Sequence, residues 1–182
     1  MEKLSKALVV LSGGQDSTTC LYWAKQRYEY VDTITFDYGQ RHRIEVENAK
    51  YIAGIANVHN IMIPINSFHY LGGNSLTEDA IPVKNEVLSN GLPNTFVPGR
   101  NLIFLTFAAA YAYQTGITDI ITGVCETDFS GYPDCRKNTI EALENSISLG
   151  MEFKFNIITP LMYLSKADSI QLAKEVGALP AL

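Results

Sequence analysis

Long apolar runs are missing from this chain of 182 residues, although 47% of it is hydrophobic. Nothing in it approaches the roughly 20 consecutive apolar residues of a membrane-spanning helix. Near the start, Lys3 and Lys6 precede the short apolar run Ala7 to Leu11, well below the roughly 7–15 residues at the core of a secretory signal. Cysteine is scarce: Cys20, Cys125 and Cys135 are odd in number and widely spaced, which excludes a disulfide framework and a CxxC pair and fits a reducing compartment. Charge is thin at 18%, below the usual value of about 25%. Fourteen Lys and Arg against nineteen Asp and Glu leave a net charge of −5, which excludes a protein that neutralises a long run of nucleic-acid phosphates. These absences predict a cytoplasmic protein with no membrane and no nucleic acid among its partners. Ten Tyr and eight Phe exclude intrinsic disorder. A chain of this size buries about 70% of its unfolded surface, so one domain over residues 1–182 is predicted.

What is present is an alternation of strand and helix. Ala7 to Leu11 is continuously apolar and ends in Gly-Gly, the pattern of a strand buried on both faces. Thr18 to Gln26 carries Leu21, Trp23 and Ala24 amid polar residues and predicts a helix. Val31 to Tyr38 alternates and is rich in β-branched and aromatic residues, a second strand. Arg43 to Ile55 repeats apolar residues at near-helical spacing, and Asn60 to Pro64 is a third apolar run. Further strands are predicted at Asp119 to Thr122 and Asn156 to Thr159, and a helix at Arg136 to Leu149. A last helix opens at Ser165 with Asp168 three residues on, a capping-box pattern, and stops at Gly177. Asn101 to Gln114 is apolar nearly all round, which predicts a helix buried on every side. Between residues 66 and 98 glycines and prolines break every period, so a functional lid is expected there. Repeated βα units predict an α/β fold, a doubly wound parallel sheet of about five strands with helices on both faces. Ligands of such sheets bind beyond the carboxyl ends of the strands.

Polar residues fall at those ends. The first strand runs through Leu11 into Ser12-Gly13-Gly14-Gln15-Asp16-Ser17-Thr18 and directly into a helix. Glycines permit positive φ and close backbone approach, and the N–H groups and dipole of a helix start favour an anion. Hydroxyls of Ser12, Ser17 and Thr18 would add donors. No Lys stands in the GxxxxGK[ST] register and no GxGxxG is present, so neither a Walker A loop nor a dinucleotide fingerprint is formed. On these residues alone, a tight strand-to-helix turn capped by Ser17 stays open beside a phosphate loop.

SGGxDS at the end of a first strand resembles the PP-loop of the N-type ATP pyrophosphatases, which share the adenine nucleotide alpha hydrolase-like fold and cleave ATP between the α and β phosphates. Phe36-Asp37-Tyr38-Gly39-Gln40-Arg41-His42, Val97-Pro98-Gly99-Arg100-Asn101, Ser130-Gly131-Tyr132-Pro133-Asp134-Cys135-Arg136 and Thr159-Pro160-Leu161 with Ser165-Lys166 resemble, in order, the motifs of the 7-cyano-7-deazaguanine synthases of queuosine precursor biosynthesis. The resemblance runs from about Ala7 to Leu179. It implies adenylation of 7-carboxy-7-deazaguanine by ATP, displacement of AMP by ammonia to give an amide, and activation of the amide by a second ATP to leave the nitrile. It implies an ATP site at Leu11, Ser12, Gly13, Gly14, Gln15, Asp16, Ser17, Thr18, Asp37, Tyr38 and Gly123. Asp16 would hold Mg²⁺, with Lys166 and Arg100 beside it as catalytic groups. The substrate would meet Gln40, His42, Arg100, Glu126, Asp128, Tyr132, Asp134 and Arg136, with Tyr132 as a stacking ring. Each role has a structural rival: a dipole-complementing acid for Asp16, a solvated first-turn lysine for Lys166, a surface arginine for Arg100. A homodimer is also implied.

Members of that family carry four cysteines towards the C-terminus that bind a structural Zn²⁺. Cys20, Cys125 and Cys135 have the wrong spacing to replace them, so no zinc ligands are expected in this chain. A shortened chain and a member lacking the element both remain open, and with them a fragment that folds only within an oligomer. Two other functions are weighed: another PP-loop adenylating enzyme, in tRNA thiolation or amide synthesis, and an ATP-binding module without catalysis.

Overall fold

The computed structural model describes residues 3–39, 43–71, 96–127 and 132–182. Gln40, His42, Asp128 and most of the expected lid at 66–98 lie outside the described residues. Among the described residues five strands form one sheet: β1 (Leu4–Val10), β2 (Tyr28–Asp37), β3 (His59–Pro64), β4 (Asp119–Ile121) and β5 (Asn156–Ile158). All neighbours pair in parallel in the order β3-β2-β1-β4-β5. The α-helices of the described residues connect and cover them: α1 (Gln15–Arg27), α2 (Arg43–Ala56), α3 (Arg100–Thr115), α4 (Lys137–Gly150) and α5 (Lys166–Glu175). The expected doubly wound α/β sheet is the observed one.

The strands feed two cores because successive side chains point to opposite faces. Ala7, Val9 and Leu11 join Leu21 and Ala24 of α1 and Ala49, Ile52 and Ala53 of α2. Leu8 joins Leu105, Ala108, Ala109 and Ala112 of α3 and Ile140 and Ile147 of α4 on the other face. Helix α5 leans on α1, with Ala173, Val176 and Ala178 packed against Tyr22 and Trp23.

Helix α3 corrects an expectation. Leu105, Ala108, Ala109 and Ala112 are buried, but Phe107 is 46% and Tyr113 47% exposed. An outer-layer helix covers the sheet with one face only, however apolar its remainder. The outward rings lean on neighbours, Phe107 towards Phe36 and Tyr113 edge-on to Phe153.

The chain climbs from β1 to β3 on one side of the sheet and then crosses to β4 on the other side of β1. The carboxyl ends of β1 and β4 are thereby neighbours, Val9 facing Ile121, at the switch point where such sheets bind ligands.

Candidate active site

Two glycines bring the loop after β1 to this switch point. Gly13 has φ +86°, and a Cβ there would stand 2.3 Å from the Glu45 carbonyl oxygen and 2.8 Å from the Ala49 nitrogen of α2. Both the left-handed backbone and the close approach require glycine. Gly123, just past β4, packs so tightly on the Asp16–Ser17 backbone that a Cβ would lie 3.0 Å from the Asp16 carbonyl carbon and 3.1 Å from the Ser17 nitrogen. The loop and the β4 exit are therefore held backbone to backbone.

Helix α1 starts at Gln15, earlier than the apolar spacing predicts, with Gly14 as its N-cap and no side-chain cap bond. Ser17 is thus not the cap. Its hydroxyl donates to the Gly14 carbonyl at 3.0 Å and stands 3.0 Å from the Ser12 hydroxyl, while the Thr18 hydroxyl donates to the same carbonyl at 2.8 Å. Ser17 and Thr18 are buried, so their hydroxyls brace the loop from behind. What the loop leaves exposed is Gly14 and Ser12, at a helix end where N–H groups lack intrahelical acceptors. Gln15 Nε2 is buried with no hydrogen-bond partner among the described residues. Gln15 also lines a cavity of about 310 Å³ between Gly13, Asn48 and Tyr51 on one side and Pro180 on the other. Cys20, buried in α1, keeps its proton: burial, and then the charge of Asp16, push its thiol up.

A second group gathers at the end of β2 and the start of α3. Arg100 Nη1 donates to the Tyr38 hydroxyl at 3.2 Å. Its guanidinium carbon lies 5.8 Å from the Tyr38 ring centre and 6.0 Å from that of Tyr132. Phe96 tilts against Tyr132 at 5.7 Å. Burial pushes the Tyr38 phenol up, partly offset by the Arg100 charge, so Tyr38 stays neutral beside a cation. Asp37, half-buried before the turn at Gly39, accepts from the Gly39 N–H at 3.3 Å.

The acidic residues find helix ends. Asp134, only 4% exposed, accepts from the Asn101 N–H of α3 at 3.0 Å. Glu126 accepts from the Lys137 N–H of α4 at 3.2 Å, and Arg136 is the exposed N-cap residue of that helix. Asp168 and Ser165 complete the expected capping box of α5. Lys166, exposed, is the first residue of that helix. The β4 and β5 exits are tied by the Glu126 N–H donating to the Met162 carbonyl at 3.0 Å. The geometry thus yields a backbone corner at Ser12–Thr18 with Gly123, and an arginine–tyrosine corner at Arg100, Tyr38 and Tyr132. Among the described residues no group of three or more His, Cys, Asp or Glu could hold a metal ion.

A family model described as queuosine biosynthesis protein QueC matches residues 6–181. The chain belongs to that family. Over 177 residues it is 60% identical to a 7-cyano-7-deazaguanine synthase of Laribacter hongkongensis, covering 97% of this chain and 77% of the relative. A synthase of the same name from Chromobacterium violaceum is 58% identical over 180 residues, again covering 97% and 77%. A solved 4-thiouridine synthetase in complex with RNA and bound ATP superposes with a TM-score of 0.59 at 20% identity, covering 97% of this chain and 42% of that one. At that identity the likeness is one of fold. Sequence reasoning on this QueC-family chain missed Asn101, which donates its backbone N–H to Asp134 and its side-chain amide to Cys135 Sγ at 3.3 Å. Its place beside Arg100 was the only available signal.

Proposed function

We propose that this chain converts 7-carboxy-7-deazaguanine and ammonia to 7-cyano-7-deazaguanine, using ATP and releasing AMP and pyrophosphate, as a ligase of queuosine precursor biosynthesis. The observation that carries the reading is the QueC match over residues 6–181, together with relatives of that name at 58–60% identity. The substrate carboxylate attacks the α-phosphorus of ATP and expels pyrophosphate. Ammonia attacks the resulting acyl adenylate and expels AMP. The amide oxygen is adenylated in turn, and loss of AMP with a proton from nitrogen leaves the nitrile.

The backbone corner suits the pyrophosphate, since a helix start presents N–H groups and positive potential to it. The residues fit Mg²⁺ in the manner of a nucleotide-bound ion, which takes one or two carboxylates and completes its shell with phosphates and water; Asp16 is that carboxylate. Bound there, the ion would neutralise charge on the leaving pyrophosphate. Lys166 would serve the same phosphates: a lysine in a helix's first turn opposes the dipole and gains from an anion beside it. The arginine–tyrosine corner suits a planar anionic substrate, with the Arg100 fork for its carboxylate and Tyr132 for its ring. Zn²⁺ does not fit the described residues: Cys20 lies inside α1, Cys125 after β4 and Cys135 in a short 3₁₀ turn (Pro133–Cys135), and no step runs through it. Three free cysteines accord with a cytoplasmic location. The homodimer reading rests on the resemblance alone and is checked by light scattering on the purified chain.

The test is incubation of the chain with ATP, Mg²⁺, ammonium and 7-carboxy-7-deazaguanine. AMP, pyrophosphate and the nitrile are expected. Turnover of a tRNA instead of this acid would refute the reading.

A further inference from the structure

Helix α3 begins without a cap of its own. Its N-cap is Gly99, in the left-handed region at φ 71°, with no side-chain bond and no acidic residue in the first turn. The acceptor comes from 33 residues away, where Asp134 Oδ2 takes the Asn101 N–H at 3.0 Å. Asn101 is held a second time, its side-chain amide donating to Cys135 Sγ at 3.3 Å. Both partners belong to the 3₁₀ turn that the Cys135 N–H closes on the Tyr132 carbonyl at 3.1 Å. Tyr132 in turn faces Arg100. Arg100, immediately before Asn101, is thus set between Tyr38 and Tyr132 by a frame whose charged, buried member is Asp134. A carboxylate 4% exposed and engaged by the Asn101 N–H has little surface left to offer a substrate.

We propose that Asp134 is a positioning residue: by capping α3 it sets the Arg100 guanidinium for the substrate carboxylate, and it does not itself touch the substrate. This rests on the reading of the chain as a 7-cyano-7-deazaguanine synthase. It separates Asp134 from Tyr132, its neighbour in the sequence motif, and from Arg100, with which the resemblance grouped it as a substrate ligand.

The test is steady-state kinetics on the full chain, varying ATP and 7-carboxy-7-deazaguanine separately. Asp134→Ala is expected to raise KM for the acid by about tenfold while KM for ATP changes less than about twofold. Asp134→Asn keeps an acceptor oxygen and is expected to stay within about threefold of the wild type for the acid. In an Arg100→Ala background Asp134→Ala should add nothing further, the signature of two residues acting as one unit. Should Asp134→Ala fail to fold, Asp134→Glu carries the test: its longer side chain displaces the cap and should raise KM for the acid alone. The proposal is overturned if acid KM is unchanged in the variant that folds, or if both KM values rise together. An effect of Asp134→Asn as large as that of Asp134→Ala, or one that persists without Arg100, also overturns it. Wild-type chain that does not turn over this acid would sink the functional reading, and this proposal with it.

Discussion

Gly13→Ala is the substitution whose cost can be worked most directly. A non-glycine residue held at a φ of +86° carries backbone strain of about 1–3 kcal/mol. Its Cβ would also stand 2.3 Å from the Glu45 carbonyl oxygen and 2.8 Å from the Ala49 nitrogen. Both are backbone atoms inside α2, so relief requires the helix to move, at a cost of about 1–3 kcal/mol for an overpacked site. The loss of unfolded-chain freedom on replacing glycine returns about 0.4–1 kcal/mol. The net is about 3 kcal/mol, a substantial share of the roughly 5–15 kcal/mol that holds a domain folded, and a fall in melting temperature of about 6–12 °C for a chain of this size. Thermal unfolding followed by circular dichroism reads it. Gly14→Ala is the control, because that residue has φ −87° and its nearest Cβ contact would be Ser12 Oγ at 3.6 Å; it should cost no more than about 1 kcal/mol. A Gly13→Ala chain that melts with the wild type, or with Gly14→Ala, would refute the close-approach argument.

Ser165→Ala removes the hydroxyl that accepts from the Asp168 N–H and should cost about 1 kcal/mol, read as a melting temperature lower by about 2–4 °C. Tyr28 donates to Asp119 Oδ2 at 2.8 Å, and burial, then that bond, push its phenol up. Above about pH 10 the unfolded phenol loses its proton while the folded one keeps it, so stability present below that pH falls as pH rises. Denaturant titrations from pH 8 to 11 should show a shallower fall for Tyr28→Phe, and equal slopes would count against the linkage. Asp16→Asn should lower kcat/KM for AMP formation on the order of 100-fold with the fold intact by circular dichroism; unchanged turnover would instead support an ATP-binding module without catalysis.

The strands were legible because Ala7–Leu11 is a short apolar run ended by glycine and Val31–Tyr38 alternates with β-branched and aromatic residues, and the parallel sheet followed from their repetition with helices, whereas the order β3-β2-β1-β4-β5 did not. The start of α1 was not legible: Gly14, Gln15 and Asp16 carry no apolar period, so the helix could be read only from Thr18, where the period begins. The half-exposed face of α3 escaped because composition records how apolar a helix is and not which side meets the sheet. The acidic residues were legible as a cluster but not as caps. Asp134 meets Asn101 from 33 residues away and Glu126 meets Lys137 from 11, and a bond between distant segments leaves no local pattern. Only the capping box of α5 could be read in advance, because both partners lie within one turn.

Among the described residues those caps set α1 apart from α3, α4 and α5. At the carboxyl edge of the sheet α3, α4 and α5 receive the carboxylates of Asp134, Glu126 and Asp168, while α1 has glycine at its N-cap and no side-chain cap bond. A carboxylate at that cap would stabilise the helix and occupy the place where the functional reading seats the pyrophosphate. Gly14→Asp tests the exchange. Its backbone at φ −87°, ψ 168° suits any residue, and a Cβ there meets only Ser12 Oγ at an ordinary distance. The new cap and its favourable position on the dipole should add about 0.5–1.5 kcal/mol, raising the melting temperature by about 1–6 °C. The same charge should raise KM for ATP at least about tenfold through repulsion of the phosphates. A variant that is both more stable and undiminished in its affinity for ATP would mean that the phosphates do not lie at α1, and the site would have to be sought elsewhere along the sheet edge.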